Sequence, residues 1–169
     1  IEVIPENEGN IAMDAKIWAS REVNSGGSGG GYASYANDGS IDTYWDGGDW
    51  AERPWVIIDL GSSYTLEKVN IVNYYSGSRY YNYEIYTSPD GEAWTPAAEK
   101  TSRSAATRSG DTFTLPNSAA RYIKVVGTYN SANEGFHLKE VRAYGKPETI
   151  VHAGLTQMLG LLEGLDISE

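Results

Sequence analysis

Cysteine is absent from the 169 residues, which excludes disulfides, thiolate nucleophiles and Cys-ligated zinc. Histidine is scarce. His137 lies in the strand-like Phe136-His137-Leu138 and reads as structural, and His152 lies near the C-terminal tail. No HExxH zinc motif, nucleophile elbow, P-loop or dinucleotide fingerprint occurs. Positive charge is also short: 13 basic residues stand against 23 acidic ones, for a net charge of −10. No Lys/Arg cluster supplies the basic stripe that nucleic acid requires, and an anionic membrane surface is disfavoured for the same reason. No apolar run approaches the roughly 20 residues of a membrane-spanning helix. The opening Ile1-Glu2-Val3-Ile4-Pro5 lacks the form of a signal peptide. The chain therefore reads as an excised module whose targeting signal would lie elsewhere. Its length suits one domain with a buried core.

Glycine (19), tyrosine (13) and tryptophan (5) are what the chain has in plenty. Tyr and Trp favour sheets, and each joins an apolar ring to a polar handle. Short period-two or apolar segments follow one another. They are Trp55–Leu60 (ended by Gly61), Val69–Tyr74, Tyr83–Ser88, Phe113–Leu115, Tyr122–Val126 and His137–Tyr144. Such segments, separated by Gly, Pro, Asn and Ser, predict strands of an all-β sandwich or barrel. Pro89-Asp90-Gly91 predicts a turn, since Pro presets φ and Gly accepts a positive one. Ser25–Gly31 reads as a surface loop within one domain rather than a linker, because patterning resumes at once beyond it. Asp46–Pro54 reads as a second long loop, where binding usually sits. Leu155, Met158, Leu159, Leu162 and Leu165 fall at helical spacing. They predict an amphipathic C-terminal helix that must dock on something.

Ala36 to Trp45 gathers Asp38, Gly39, Ser40, Asp42 and Thr43 in a short arc. The mixture suits a hard cation such as calcium. It equally suits an Asx turn in which Asp38 caps backbone N–H groups. Paired carboxylates for glycoside hydrolysis cannot be read from spacing across a β fold.

Six ordered motifs resemble the discoidin-like domains (coagulation factor 5/8 C-type), and among them the family 32 carbohydrate-binding modules. Asn10-Ile11-Ala12 with Ala19-Ser20 looks like the family opening. Ala36-Asn37-Asp38-Gly39 through Thr43-Tyr44-Trp45 is similar to its A-x-D-G…T-x-W signature. Ile58-Asp59-Leu60-Gly61 resembles its D-L-G strand end. Tyr83–Ser88 with Asp90-Gly91 and Trp94 resembles Y-E-I-Y-x-S-x-D-G-x-x-W. Arg121–Val125 and Glu140–Gly145 complete the order.

The resemblance covers roughly Asn10 to Gly145 and implies a jelly-roll β-sandwich (galactose-binding-domain-like). The division expected is a sandwich module over 1–147 and a short C-terminal helix or linker over 148–169. It also implies a structural calcium held by Asp38, Thr43 and Glu140 with carbonyls near Tyr35 and Ser40. No catalysis is implied, so the chain is expected not to be an enzyme.

For the sugar site, the galactose-type His is replaced by Asp46 and the galactose-type Arg by Tyr74 or Tyr75. This points away from galactose and toward manno- or gluco-configured ends. Candidate sugar contacts are Glu22, Asp46, Trp50, Tyr74, Tyr75, Arg79, Tyr129 and Asn130, with Trp50 the first choice for stacking. The function implied is weak binding, with Kd of order 10⁻⁴ to 10⁻³ M, at oligosaccharide or polysaccharide ends. Such binding would tether a secreted, bacterial-type catalytic module in the same parent chain to its glycan. The alternatives are a protein-interaction or adhesion domain, to which the tail helix would contribute, and a glycosidase or lyase using loop carboxylates.

Overall fold

The computed structural model describes residues 5–24 and 29–148. The expected tail helix and the middle of the Gly-rich stretch lie outside these residues. Among the described residues nine strands form: β1 (Lys16–Ala19), β2 (Gly30–Gly31), β3 (Tyr44–Asp49), β4 (Trp55–Val72), β5 (Tyr81–Ser88), β6 (Thr95–Lys100), β7 (Asp111–Asn130), β8 (Gly135–Leu138) and β9 (Glu140–Pro147). Short 3₁₀ turns are the helical elements among the described residues. The expected all-β sandwich is thus present.

Two long antiparallel strands organise it. β4 pairs with β7 over most of its length, and the register shifts between Asp59 and Tyr64 and again between Leu66 and Lys68. The first half of β4 also pairs with β1, and the second half with β9. The far half of β7 pairs with β5, which pairs with β6. These irregularities bend the ribbon, as bulges do, so one strand pair serves both layers. Trp55–Leu60 and Val69–Tyr74 therefore belong, up to Val72, to a single strand. Gly61, at φ +85°, marks the bend rather than the end. Conversely, His137–Tyr144 is two strands, parted at Lys139, whose N–H donates to the Val72 carbonyl at 2.7 Å.

Alternation sends Val56, Ile58, Leu66, Val69, Ile71, Tyr81, Tyr83, Ile85, Ile123, Val125, Val141 and Ala143 into one apolar cluster. Burial of this kind is the main stabilising term. Tyr81 is fully buried while Tyr80 is only partly so, as alternation requires. The Asp59 carboxylate accepts two bonds from Arg121, at 2.8 and 3.1 Å, and clips β4 to β7. The Arg121 hydrogen bond holds Asp59 below the usual carboxylate range, against a smaller upward push from burial.

A separate small sheet runs β2-β3-β8. It corrects the expectation of a loop over Asp46–Pro54. Asp46 pairs with His137 across β3 and β8, and the register shifts before Asp49 pairs with Gly135. Gly48, at φ +77°, provides the irregularity, and a 3₁₀ turn at Trp50–Glu52 follows. Trp45 is fully buried and its indole N–H donates to the Arg21 carbonyl at 2.8 Å. This anchors β3 and leaves its neighbours Tyr44 and Asp46 to face the other way.

Candidate functional site

A cavity of about 210 Å³, lined by Tyr44, Tyr74, Arg79, Asn133 and His137, opens where the small sheet meets the loop after β4. The rings form an edge-to-face group. Tyr44 stands at 5.3 Å and 76° to Tyr74, and at 5.6 Å and 87° to His137. The Arg79 guanidinium lies 5.2 Å from the Tyr74 ring centre and Lys139 Nζ lies 5.0 Å from it. Lys139 also sits 5.1 Å from the Tyr75 ring, and its ammonium donates to the Ile41 carbonyl at 2.6 Å.

Beneath the cavity lies a chain of polar contacts. The Tyr81 hydroxyl and His137 Nδ1 are 2.7 Å apart, and His137 Nε2 is 3.6 Å from Asp46 Oδ2. Asp46 Oδ1 accepts the Gly48 N–H at 2.9 Å. Burial pushes the Asp46 carboxyl up. The His137 ring 3.6 Å away and the hydrogen bond from the Gly48 N–H outweigh it and hold the group below its ordinary range. Burial also pushes the Tyr81 phenol well above its ordinary value, against the opposing pull of Arg79. The floor is thus rigid and already satisfied, while the wall offers hydroxyls, an amide and a guanidinium.

Asn133 connects this cavity to an aromatic shelf. Its carbonyl accepts the Trp50 indole N–H at 3.2 Å. The Trp50 ring stands 5.1 Å from Tyr129, and Tyr129 is 5.6 Å from Tyr80. All three rings are half-buried. A polar cavity beside an aromatic ledge can take the two sides of a pyranose, hydroxyls into one and the C–H face onto the other.

The fold therefore brings Tyr74 and Arg79 to one cavity, sets Asp46 beneath it and places Trp50 and Tyr129 beside it. Tyr75 lies one residue outside, under Lys139. Three candidates need correction. Asp46 is buried under the cavity, with one oxygen accepting the Gly48 N–H and the other facing His137, so it supports His137 rather than meeting a sugar. Asn130 is 3% exposed. Its amide donates to Asn133 Oδ1 and the Gly135 carbonyl, and its Oδ1 accepts the Ala132 N–H. It shapes the turn that presents Asn133 and has nothing left for a sugar. Glu22 Oε1 accepts the Ala33 N–H at 2.9 Å, holding the end of the Gly-rich stretch rather than lining the cavity. Tyr44, Asn133 and His137 were missed. Tyr44 stood inside the T-x-W motif, but only the β3–β8 register reveals His137 opposite Asp46.

Other recesses among the described residues lack this pairing of a polar cavity with an aromatic shelf. One of about 400 Å³ carries a single ring, Tyr144, with Lys68 Nζ over it at 4.8 Å. On the outer sheet face, Lys124 Nζ lies over both Trp55 and Trp94, at 5.1 and 5.5 Å.

The oxygen atoms of the Asp38 loop meet Glu140 of β9. Asp38 Oδ1 accepts the Ser40 N–H and Asp38 Oδ2 accepts the Thr43 hydroxyl, at 2.9 and 2.5 Å. The Thr43 hydroxyl also lies 3.5 Å from the Ser40 carbonyl. Tyr35 belongs to the 3₁₀ turn leading in. Glu140 reaches this loop from β9. Its Oε1 accepts the Gly39 N–H at 3.1 Å, whereas Oε2 is buried without a partner. Burial, and then the Asp38 carboxyl beside it, push Glu140 up to about 9. Two carboxylates converging at a buried spot, one with an orphaned oxygen, and a nearby carbonyl and hydroxyl are the donor set of a hard cation. Among the described residues no group of three or more His, Cys, Asp or Glu side chains gathers for a metal, so backbone and hydroxyl oxygens would have to complete the shell.

A family model described as F5/F8 type C, NedA-like, galactose-binding domain matches residues 35–125. The chain superimposes on a family 89 glycoside hydrolase from Clostridium perfringens with TM-score 0.70 and 28% identity, over 82% of this chain and 15% of that one. It superimposes on chitosan-binding module 1 of a chitosanase/glucanase from Paenibacillus sp. IK-5 with TM-score 0.64 and 30% identity, over 80% and 98% respectively. BTB/POZ domain-containing protein 9 of Homo sapiens is 29% identical over 82 residues, 48% of this chain. The match spans only 13% of that curated relative's length.

Proposed function

We propose that this chain, which belongs to the F5/F8 type C family of NedA-like, galactose-binding domains, is a non-catalytic carbohydrate-binding module of the family 32 kind. The observation that carries this is the polar cavity of Tyr44, Tyr74, Arg79, Asn133 and His137 set against the Trp50–Tyr129 shelf. A terminal sugar would place hydroxyls on Arg79, Asn133 and the phenols, and rest its ring against Trp50. The likeness to a chitosan-binding module over 98% of that module's length supports the reading. The cavity is too small for more than one or two rings, so chain ends are the ligands and affinity is weak, with Kd of order 10⁻⁴ to 10⁻³ M.

The module would act by concentrating a linked, secreted glycoside hydrolase on its glycan. The match to a short stretch of a much larger hydrolase chain supports that arrangement. Asp38, Ser40, Thr43 and Glu140, with the Tyr35 carbonyl, would hold a structural calcium. Bound there, calcium supplies charge neutralisation and a cross-link. The residues themselves fix Tyr44, directly after Thr43, and Lys139, directly before Glu140.

A glycan array with calcium present, followed by calorimetric titration of the strongest hit, tests the reading. Saturable binding is expected, and Trp50→Ala should weaken it by about tenfold or more while melting near the wild-type temperature. Failure of every glycan to bind at millimolar concentration would sink it.

A further inference from the structure

Arg79 has a charge that nothing in the site balances. Among the described residues no carboxylate lies within ion-pair distance of its guanidinium. Its Nε is buried without a hydrogen-bond partner, which is costly for a donor of a charged group. The nearby anion, Asp46, is committed elsewhere. One oxygen accepts the Gly48 N–H and the other faces His137 Nε2. The remaining neighbours of the guanidinium are the face of Tyr74 and the Tyr81 hydroxyl. Elsewhere in this chain of net charge −10, three arginines do find acids: Arg21 pairs with Glu52, Arg53 with Glu84 and Arg121 with Asp59. A planar guanidinium held on a tyrosine face at the wall of a sugar-sized cavity is arranged to receive a carboxylate with two parallel hydrogen bonds.

We propose that the site takes an acidic sugar, a hexuronate at a chain end, with its C6 carboxylate on Arg79. The inference rests on the carbohydrate-binding reading of the same cavity. Tyr44, Asn133 and the Tyr74 phenol then serve the ring hydroxyls. Neutral sugars place a C6 hydroxyl opposite Arg79, which leaves the charge uncompensated and offers one bond to a neutral acceptor instead of a two-bond ion pair. The net negative charge of the molecule slows approach of an acidic glycan but does not decide binding at contact distance, since surface charges beyond about 10 Å are screened at moderate salt.

The test pairs sugars that differ only at C6: the methyl glycosides of glucuronate and glucose, galacturonate and galactose, and mannuronate and mannose. Each is titrated into the whole chain by calorimetry at two salt concentrations. At least one uronate should bind about tenfold or more tightly than its neutral partner, and that preference should weaken as salt rises. Arg79→Gln should bring the ratio toward one. Arg79→Lys, which keeps the charge without the fork, should keep part of it. Circular dichroism and melting temperature verify that both variants fold. Neutral sugars that bind while none of the three uronates outbinds its neutral partner would overturn the inference and leave the carbohydrate-binding reading intact. A uronate preference unchanged in a folded Arg79→Gln variant would overturn it too. No saturable binding by any of the six would overturn the uronate inference, and the glycan array then decides the carbohydrate-binding reading separately.

Discussion

Arg121 and Asp59 show what single residues contribute to the scaffold. The D-L-G and R-Y-I-K-V motifs sit 62 positions apart, and in the fold they meet as a two-bond ion pair. Hydrogen bonding by Arg121 holds the Asp59 carboxyl below its ordinary range. A carboxyl depressed in the folded state contributes stability above its unfolded pKa of about 4, and that contribution is lost as pH falls through the folded value. Asp59→Asn should therefore lower the melting temperature near pH 7, and the deficit should shrink below about pH 4. The drop should be modest, on the order of 2 °C, because Arg121 is 41% exposed and solvent screens the pair. Thermal melts of both proteins from pH 7 to pH 3 measure this. A deficit that stays constant with pH would mean that the pair carries no linked stability.

Residue identity was also where the sequence misled. Asn130 has the chemistry of a sugar contact, yet every polar atom of its amide is used within its own turn. Which way a turn residue faces is not written in composition.

At the scale of elements, the alternation of Tyr83–Ser88 and Tyr122–Val126 read directly as strands, because period-two burial leaves a local trace. Three boundaries did not. The β4 bend at Gly61 keeps pairing on both sides, the break at Lys139 depends on Val72, and β3 is made a strand by β2 and β8 on either side of it. Each is set by a partner strand far away in sequence. The same long-range pairing brings His137 and Tyr44 together and leaves the Asp38 loop against Glu140.

If calcium ties that loop to β9, added calcium should raise the melting temperature over that in chelator. The rise should be roughly 5 °C when calcium stands near a hundredfold over its Kd. Glu140→Gln removes the carboxylate facing Asp38 and one ligand with it. That variant should melt at the same temperature with calcium or with chelator. A wild-type melting temperature indifferent to both would remove calcium from the scaffold. Because Thr43 precedes Tyr44 and Glu140 follows Lys139, the chelated protein should also bind its glycan more weakly.

The whole molecule is a sandwich whose two long strands form a stiff frame, with a small sheet and its loops carrying the chemistry at one place. Fold class was legible from the ordered motifs, since scaffold residues recur with strand and turn geometry. The candidate site was half legible. Asp46, Tyr74, Arg79, Trp50 and Tyr129 were picked for their chemistry, but their grouping into a cavity and a shelf arises only when β3, β8 and the loops after β4 and β7 converge.

The most direct test is an amide and indole nuclear magnetic resonance titration of the labelled chain with the strongest-binding glycan. Shifts confined to Tyr44, Arg79, Asn133, His137 and the Trp50 indole are expected. Saturable shifts centred instead on Trp94 and Lys124 of the outer sheet face, with the cavity unmoved, would contradict the assignment of the site.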